Sequence, residues 1–538
     1  QRVDYFTELG VNFVHILPIL KCPEGKSDGG YAVSDFRRVD ERFGSNESLE
    51  NLITALHKED SLIVLDIVVN HTSDQHEWAL QAKAGDKVHQ DYYYTFDNRD
   101  VPDMFEQSML EVFPETDPGN FSWDETMQKW VMTVFHNYQW DLNYSNPAVF
   151  TEMVDIILFW ANKGVDVVRL DAVAFLWKKI GTVCQNEEEA HLILQLFKDC
   201  CQVVAPGLLS IAEAIVAPTE IIKYFGEDAV VAKECEIAYN ATYMALIWDS
   251  VATKNAKLLR QGIKSLPSKL EGATWLNYLR CHDDIGFGFD DYDIAHVGYQ
   301  PQQHRRFLVD YFTGDFENSF ARGRPFARNE KTGDARISGS LASLAGLQHA
   351  IEINDSRMIQ DCCRHIILLH SLIMSFGGIP LLYYGDEVGN LNDYSYEFDD
   401  KKSSDSRWLH RPVIDWEKNS KRYQHGTVEN TIFFSLKKMI AIRKATNAFS
   451  DFNTRDLLEM SNDNLFSFVR YDYSNPTDKV VVIANLSPLP QELNLQELAD
   501  VAYVVPKDLH DLWTDKEPGI FSNSLIISGY QFYWLVIA

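Results

Sequence analysis

Short apolar, β-branched runs alternate with helix-length amphipathic stretches along most of this 538-residue chain. That alternation is the pattern of βα units that build a parallel sheet. The runs at 11–19 (VNFVHILPI), 62–69 (LIVLDIVV), 165–170 (VDVVRL), 208–212, 235–239, 275–280 (WLNYLR) and 379–387 (IPLLYYGDE) predict seven strands. Helices are expected at 1–9, 147–163, 358–375 and 431–446. The rhythm breaks twice. Residues 73–145 form an aromatic, acidic stretch far longer than an ordinary βα loop, as expected of a small domain set over a site. Residues 287–355, rich in Arg, Gly and Phe, form a second break. Beyond about 451 the runs shorten and alternate (FSFVRYDY, KVVVIANLS), which reads as an antiparallel sandwich.

The expected fold class is therefore α/β: a (β/α)8 TIM barrel with two loop-inserted subdomains and a C-terminal antiparallel β-sandwich. The barrel would take 1–72, 146–286 and 356–450, the insertions 73–145 and 287–355, and the sandwich 451–538. A closed barrel needs eight strands and leaves no edge. Seven are counted here, after an opening helix, so a first strand is expected upstream of Gln1.

A formal net charge of −29 repels nucleic acid and anionic membrane surfaces, and neither is expected as a partner. Eight cysteines include two adjacent pairs, Cys200-Cys201 and Cys362-Cys363, with no CxxC. This is neither a disulfide framework nor a zinc pattern. Neither GxxxxGK[ST] nor a strand-following GxGxxG occurs, and no metal cluster has ligand spacing, so neither cofactor nor metal is expected. No apolar run reaches the ~18 residues of a membrane span. The first residues lack a signal-peptide pattern, which slightly favours a cytoplasmic setting, although the chain begins with Gln1 and not Met.

Three runs end in a carboxylate: VVRLDAVAF (167–175), SIAEAIV (210–216) and RCHDDIG (280–286). Barrel enzymes place their chemistry at the carboxyl ends of parallel strands, which marks Asp171, Glu213 and Asp283. Cleaving an acetal with retention needs a carboxylate nucleophile and a carboxylic acid roughly 5 Å apart. Arg169 precedes Asp171 by two, so it points to the same side and would hold that carboxylate ionised. Glu213 sits among Ile, Ala and Val, which raise a carboxyl toward a general-acid role. Taken singly, an Asp after a strand is more often a helix cap, and His71 or His282 a hydrogen-bonded core histidine. The conjunction of Asn-His, Arg-x-Asp, Glu and His-Asp-Asp at strand ends, in one order, favours function.

That ordered set resembles the α-amylase family of glycoside hydrolases and transglycosylases, whose four regions match 66–71 (DIVVNH), 167–175, 210–216 and 280–286. Further segments, at 22–36 (CPEGKSDGGYAVSDF), 135–147 (FHNYQWDLNYSNP), 332–339 (TGDARISG) and 403–408 (SSDSRW), are similar to those of its amylosucrase branch, and the likeness runs along the whole chain. The resemblance implies a glucosyl-enzyme on Asp171, acid/base work by Glu213, and hydroxyl binding by Asp283. His71, Arg169 and His282 would bind the same ring, and Tyr31 and Phe135 would stack on or flank it. Asp28 and Arg407 would close the pocket so that it takes one terminal glucose. Ile215, Asp284, Asp334 and Arg336, with Arg305 nearby, would face the fructose or acceptor side.

The donor so implied is sucrose, and the acceptor a glucan, another sugar or water, with the protein a monomer or homodimer. Where the branch places arginines after Pro102-Asp103, this chain has Gln107 and Leu110, and an extra few residues fall within 226–234. Those departures leave polymer length and the share of hydrolysis open. The alternatives are a sucrose hydrolase, a trehalose synthase or α-glucosidase on the same scaffold, and, from another class, a catalytically silent binding subunit.

Overall fold

The computed structural model describes residues 2–114, 116–226, 233–267, 270–329, 332–450, 454–502 and 509–537. The loop departure at 226–234 lies largely outside them. The chain divides into two compact units. The first holds 1–216, 220–239 and 270–273; the second holds 217–219, 240–269 and 274–538.

In the first unit, five of the predicted runs become parallel strands: β1 (Phe13–Ile16), β2 (Leu62–Val68), β3 (Val167–Asp171), β4 (Leu209–Ala212) and β5 (Ile237–Tyr239). β1 pairs with β2, β2 with β3, β3 with β4 and β4 with β5. Every residue of β3 and all but Leu62 of β2 are buried. Covered on both faces, such strands read as continuous apolar runs without alternation. Helices α1 (Asn46–Lys58), α2 (Pro147–Asn162) and α3 (Glu188–Val204) supply the crossovers. Ser45 caps α1 by accepting from Ser48 N; Asn146 caps α2, with Pro147 in its first turn. Those side chains satisfy amides that a helix start leaves unpaired.

Between β2 and β3 the long aromatic segment folds on its own small core. Strands Thr95–Phe96, Lys129–Met132 and Phe121–Asp124 form one antiparallel sheet. Phe105, Met109, Phe121, Met132 and Val134 pack together beside it. His71–Ser73 and Gln139–Asp141 pair antiparallel at the segment's two ends.

In the second unit, β6 (Thr274–Tyr278) and β7 (Ile379–Leu381) pair in parallel. Helices α4 (Ala241–Thr253), α5 (Ser356–Ser375) and α6 (Val428–Ala445) belong with them. α5 starts two residues before its apolar period because Asp355 accepts from Arg357 N and Met358 N. Within 287–355, helices Asp291–His296 and Pro301–Thr313 accompany an antiparallel pair, Arg324–Phe326 with Arg336–Ser338. The C-terminal region forms a five-stranded and a three-stranded antiparallel sheet. Leu465, Val481, Ile483 and Leu535 of the larger sheet meet Leu493, Leu525 and Ile527 of the smaller in one core. A helix, Leu495–Ala502, also enters that core through Leu495, Leu498 and Ala502. Strand alternation gave no hint of it. Among the described residues, no helix is long and apolar enough to cross a membrane.

Candidate active site

β3 delivers two chemically different side chains to one side. Arg169 Nη1 donates to Asp171 Oδ1 at 2.7 Å, as the two-residue spacing predicts. The same nitrogen donates to Asp66 of β2, whose Cα is in register with Arg169. His15 Nε2 of β1 lies 3.0 Å from the other Asp66 oxygen. The Arg169 guanidinium also lies 5.8 Å from the Tyr31 ring centre and 5.6 Å from that of Tyr239. A single buried cation thus serves two carboxylates.

Glu213 follows β4 and reaches back to β3. Its Oε2 accepts from the backbone N–H of Ala172, the residue after Asp171, at 3.0 Å. Ala172 adopts φ +56°, a left-handed conformation that costs an L residue about 1–3 kcal/mol and recurs at functional turns. The two carboxyls therefore influence each other directly. Burial pushes Asp171 well above the usual carboxylate range; Arg169 pulls it down, and Glu213 and Asp66 push it up again. Arg169 stands where expected, but desolvation and two like charges outweigh it.

His71 is fully buried, and burial pushes its imidazole down to about 4. With Asn70 Nδ2 3.2 Å from Nδ1, the Nε2–H of the neutral ring donates to Tyr31 O at 3.2 Å. Phe135 lies against it, ring centres 5.0 Å apart, and packs edge-on against Phe175. Asp28 sits in a DGG turn in which a Cβ on Gly30 would come within 2.8 Å of Pro18 O. Its Oδ2 accepts from Gln139 Nε2 at 3.3 Å, and that amide is 3.0 Å from His71 Nε2. Behind these groups, Lys178 Nζ meets Asp141 Oδ2 at 2.5 Å with both side chains buried. Asn70 joins them, donating to Asp141 at 3.1 Å and accepting from Lys178 at 3.1 Å. Gln107 and Leu110 are both exposed.

In the second unit, β6 ends before the His-Asp-Asp motif. His282 Nε2 is 3.2 Å from Asp283 Oδ2. Arg407 Nη1 and Arg411 Nη2 stand 3.6 and 3.4 Å from Asp283 Oδ1. Arg411 Nε donates to His282 O at 2.7 Å, as does His410 Nε2 at 2.9 Å. Asp405 braces Arg407, accepting from Nη2 at 2.9 Å. Asp284 and Arg336 pair at 3.3 Å, and burial pushes Asp284 up. Arg305 is held by Asp291 and by Phe289 O, while Asp334 is half-buried. Ile215, in the first unit, is 55% exposed.

Asp66, Gln139, Asp141, Lys178 and Arg411 enter these clusters without having been singled out in the sequence. Asp66 carried a visible signal, an acid in the middle of an otherwise apolar strand. Gln139 and Asp141 lie on the short return strand, and Lys178 and Arg411 on loops, each distant in sequence from the groups they meet. Cys281, His282 and Asp283 place one ligand atom each within 4.8 Å of one another, but two guanidiniums already face Asp283 and oppose a cation there.

A family profile described as "Alpha amylase, catalytic domain" matches residues 1–288. A trehalose synthase/amylase of Mycolicibacterium smegmatis is 27% identical over 99% of this chain and 87% of its own length. A glucosylglycerate phosphorylase of Escherichia coli is 26% identical over 97% of this chain and 85% of its own. Among solved structures, the isomaltulose synthase of Protaminobacter rubrum superimposes with a TM-score of 0.69 at 18% identity, covering 99% of this chain and 93% of its own. The sucrose 6F-phosphate phosphorylase of Thermoanaerobacter thermosaccharolyticum gives 0.69 at 19%, covering 90% and 88%. The structural likeness establishes the fold, a (β/α)8 barrel with loop insertions and a C-terminal antiparallel sandwich. With the profile spanning more than half of its length, the chain belongs to the α-amylase family, enzymes that act on glycosidic bonds.

Proposed function

We propose that this protein is a retaining α-glucosyl-transferring enzyme acting on small α-glucosides, with trehalose–maltose interconversion as its reaction. The observation that carries the reading is the hydrogen bond from Ala172 N–H to Glu213 Oε2, which sets the acid/base carboxyl beside the peptide following the nucleophile. Two carboxyls that act on each other this directly ionise one at a time. Burial and its acidic neighbours push Asp171 up, but it is the carboxyl that Arg169 contacts, and it is assigned the negative charge and the attack on the anomeric carbon. Glu213 gives its proton to the leaving oxygen, and a β-glucosyl-enzyme forms on Asp171. The released glucose stays and turns. Its 4-hydroxyl loses a proton to Glu213 and attacks the same carbon, giving maltose with net retention and free Asp171. Water in that place gives hydrolysis. Asp283 and His282 are assigned to the sugar hydroxyls on the motif match alone. The choice of trehalose rests on relatives that align over nearly the whole chain.

A second reading, a sucrose donor with glucan, sugar or water as acceptor, is favoured by the segments at 22–36, 135–147 and 403–408. Incubation with trehalose, maltose or sucrose alone, or with glucosylglycerate plus phosphate, followed by chromatography of the products, decides between them. Maltose with a little free glucose from trehalose is expected. Fructose with isomers or insoluble glucan from sucrose, and nothing from trehalose, would move the assignment to the second reading. No turnover of any donor, including 4-nitrophenyl α-glucoside, would leave a binding subunit.

A further inference from the structure

His136, in the long segment between β2 and β3, stands between two acids. Its Nδ1 is 2.5 Å from Asp117 Oδ2, and its Nε2 is 3.7 Å from Asp28 Oδ1. All three side chains are at most 19% exposed. The imidazole is sandwiched between the rings of Phe113 (centres 4.6 Å apart) and Tyr138 (5.1 Å). Its own backbone N–H donates to Gln139 Oε1, and the amide of that residue donates to the other Asp28 oxygen. Asp28 itself has φ +45°. A carboxylate in a strained turn and shielded from water needs charged or hydrogen-bonding partners to stay both ionised and aimed.

We propose that Asp117 and His136 form a positioning pair that keeps Asp28 charged and oriented for donor binding, and that this pair sets an alkaline limit on donor affinity. The inference rests on the pocket reading of Asp28 given above. Neither His136 nor Asp117 is placed against the sugar; they act through Asp28. Among the described residues, the titratable groups facing the imidazole are Asp28, Asp117 and the Tyr138 phenol. Burial works against its charge, but the Asp117 and Asp28 carboxylates outweigh it and hold His136 up at about 9. Below that pH an imidazolium bridges the acids; above it the bridge is neutral and this one of the charges facing Asp28 is gone.

The test compares His136→Gln, Asp117→Asn and Asp28→Asn with the wild type, using 4-nitrophenyl α-glucoside from pH 6 to 10. For H136Q, a KM about tenfold higher with kcat changed less than about twofold is expected, together with loss of the alkaline limb near pH 9. For D117N, the KM at pH 6 should match the wild type and the limb should fall by a unit or more, since the imidazolium has lost one of its two acids. A generally loosened structure would move kcat and thermal midpoint without moving the limb. If H136Q and D117N keep the wild-type KM and limb while D28N raises KM, the positioning pair is overturned and the pocket reading stands. If D28N leaves KM unchanged, the pocket reading falls and takes the inference with it.

Discussion

The acid centre at β3 and the arginine cluster after β6 solve opposite electrostatic problems. At β3, three carboxyls (Asp66, Asp171 and Glu213) act on one another around a single buried guanidinium. After β6, one carboxylate, Asp283, faces two guanidiniums, Arg407 and Arg411. Scarcity of positive charge retains a proton, which a general acid must hold before it can give it away. Surplus positive charge favours the ionised form of a carboxylate. The contrast is one of charge balance: three carboxyls share one cation at β3, and two cations face one carboxylate after β6.

Removing the proposed nucleophile should give the largest effect. Asp171→Asn is expected to lower kcat by about 10⁴-fold or more, measured on 4-nitrophenyl α-glucoside, because no covalent intermediate can form. Glu213→Gln should cost about 10²–10⁴-fold on a sugar leaving group and much less on 4-nitrophenolate, which needs no proton. A variant of either residue that kept full turnover would end the assignment of the chemistry to the acid centre. Next, Arg169→Met should destabilise the fold by about 3–5 kcal/mol in urea, since it strands Asp66 and Asp171 without their cation. The corresponding change in the other cluster, Arg411→Ala, should cost only about tenfold in kcat/KM, since Arg407 still faces Asp283. Equal stability losses from the two arginine variants would erase the difference between the regions.

The smallest single-residue effect is one histidine's share of acid stability. Burial holds His71 and His370 down at about 4, and His76 and His365 at about 3. The unfolded chain therefore binds more protons between about pH 4 and 6.5, and stability falls as pH drops through that window. At pH 5 each would cost at most about 2 kcal/mol relative to pH 7. Urea midpoints at the two pH values measure this, and His71→Gln should remove one share.

The seven parallel strands were legible because β-branched runs covered on both faces leave a continuous apolar trace. Arg169 beside Asp171 was legible because strand side chains repeat every two residues. What neighbouring strands do to Asp171 was not: the register of Arg169 against Asp66 and the reach of Glu213 to Ala172 are set only when the strands pair. Likewise, the Leu495–Ala502 helix was hidden among strands because its three core contacts span barely two turns.

Asn70, Asp141 and Lys178 have a bearing on protein engineering. They lie just after β2, at the return strand before β3, and just after β3, so a buried lysine ties both ends of the long segment to the strands that flank it. A cassette cut at 73 and 145 carries only Asp141 of the three. Grafted between relatives, it would arrive with one charge of a buried pair and depend on the host for the other. Exchange of specificity by swapping this segment should therefore succeed only when the host offers a lysine and an asparagine in register, or when all three residues travel together.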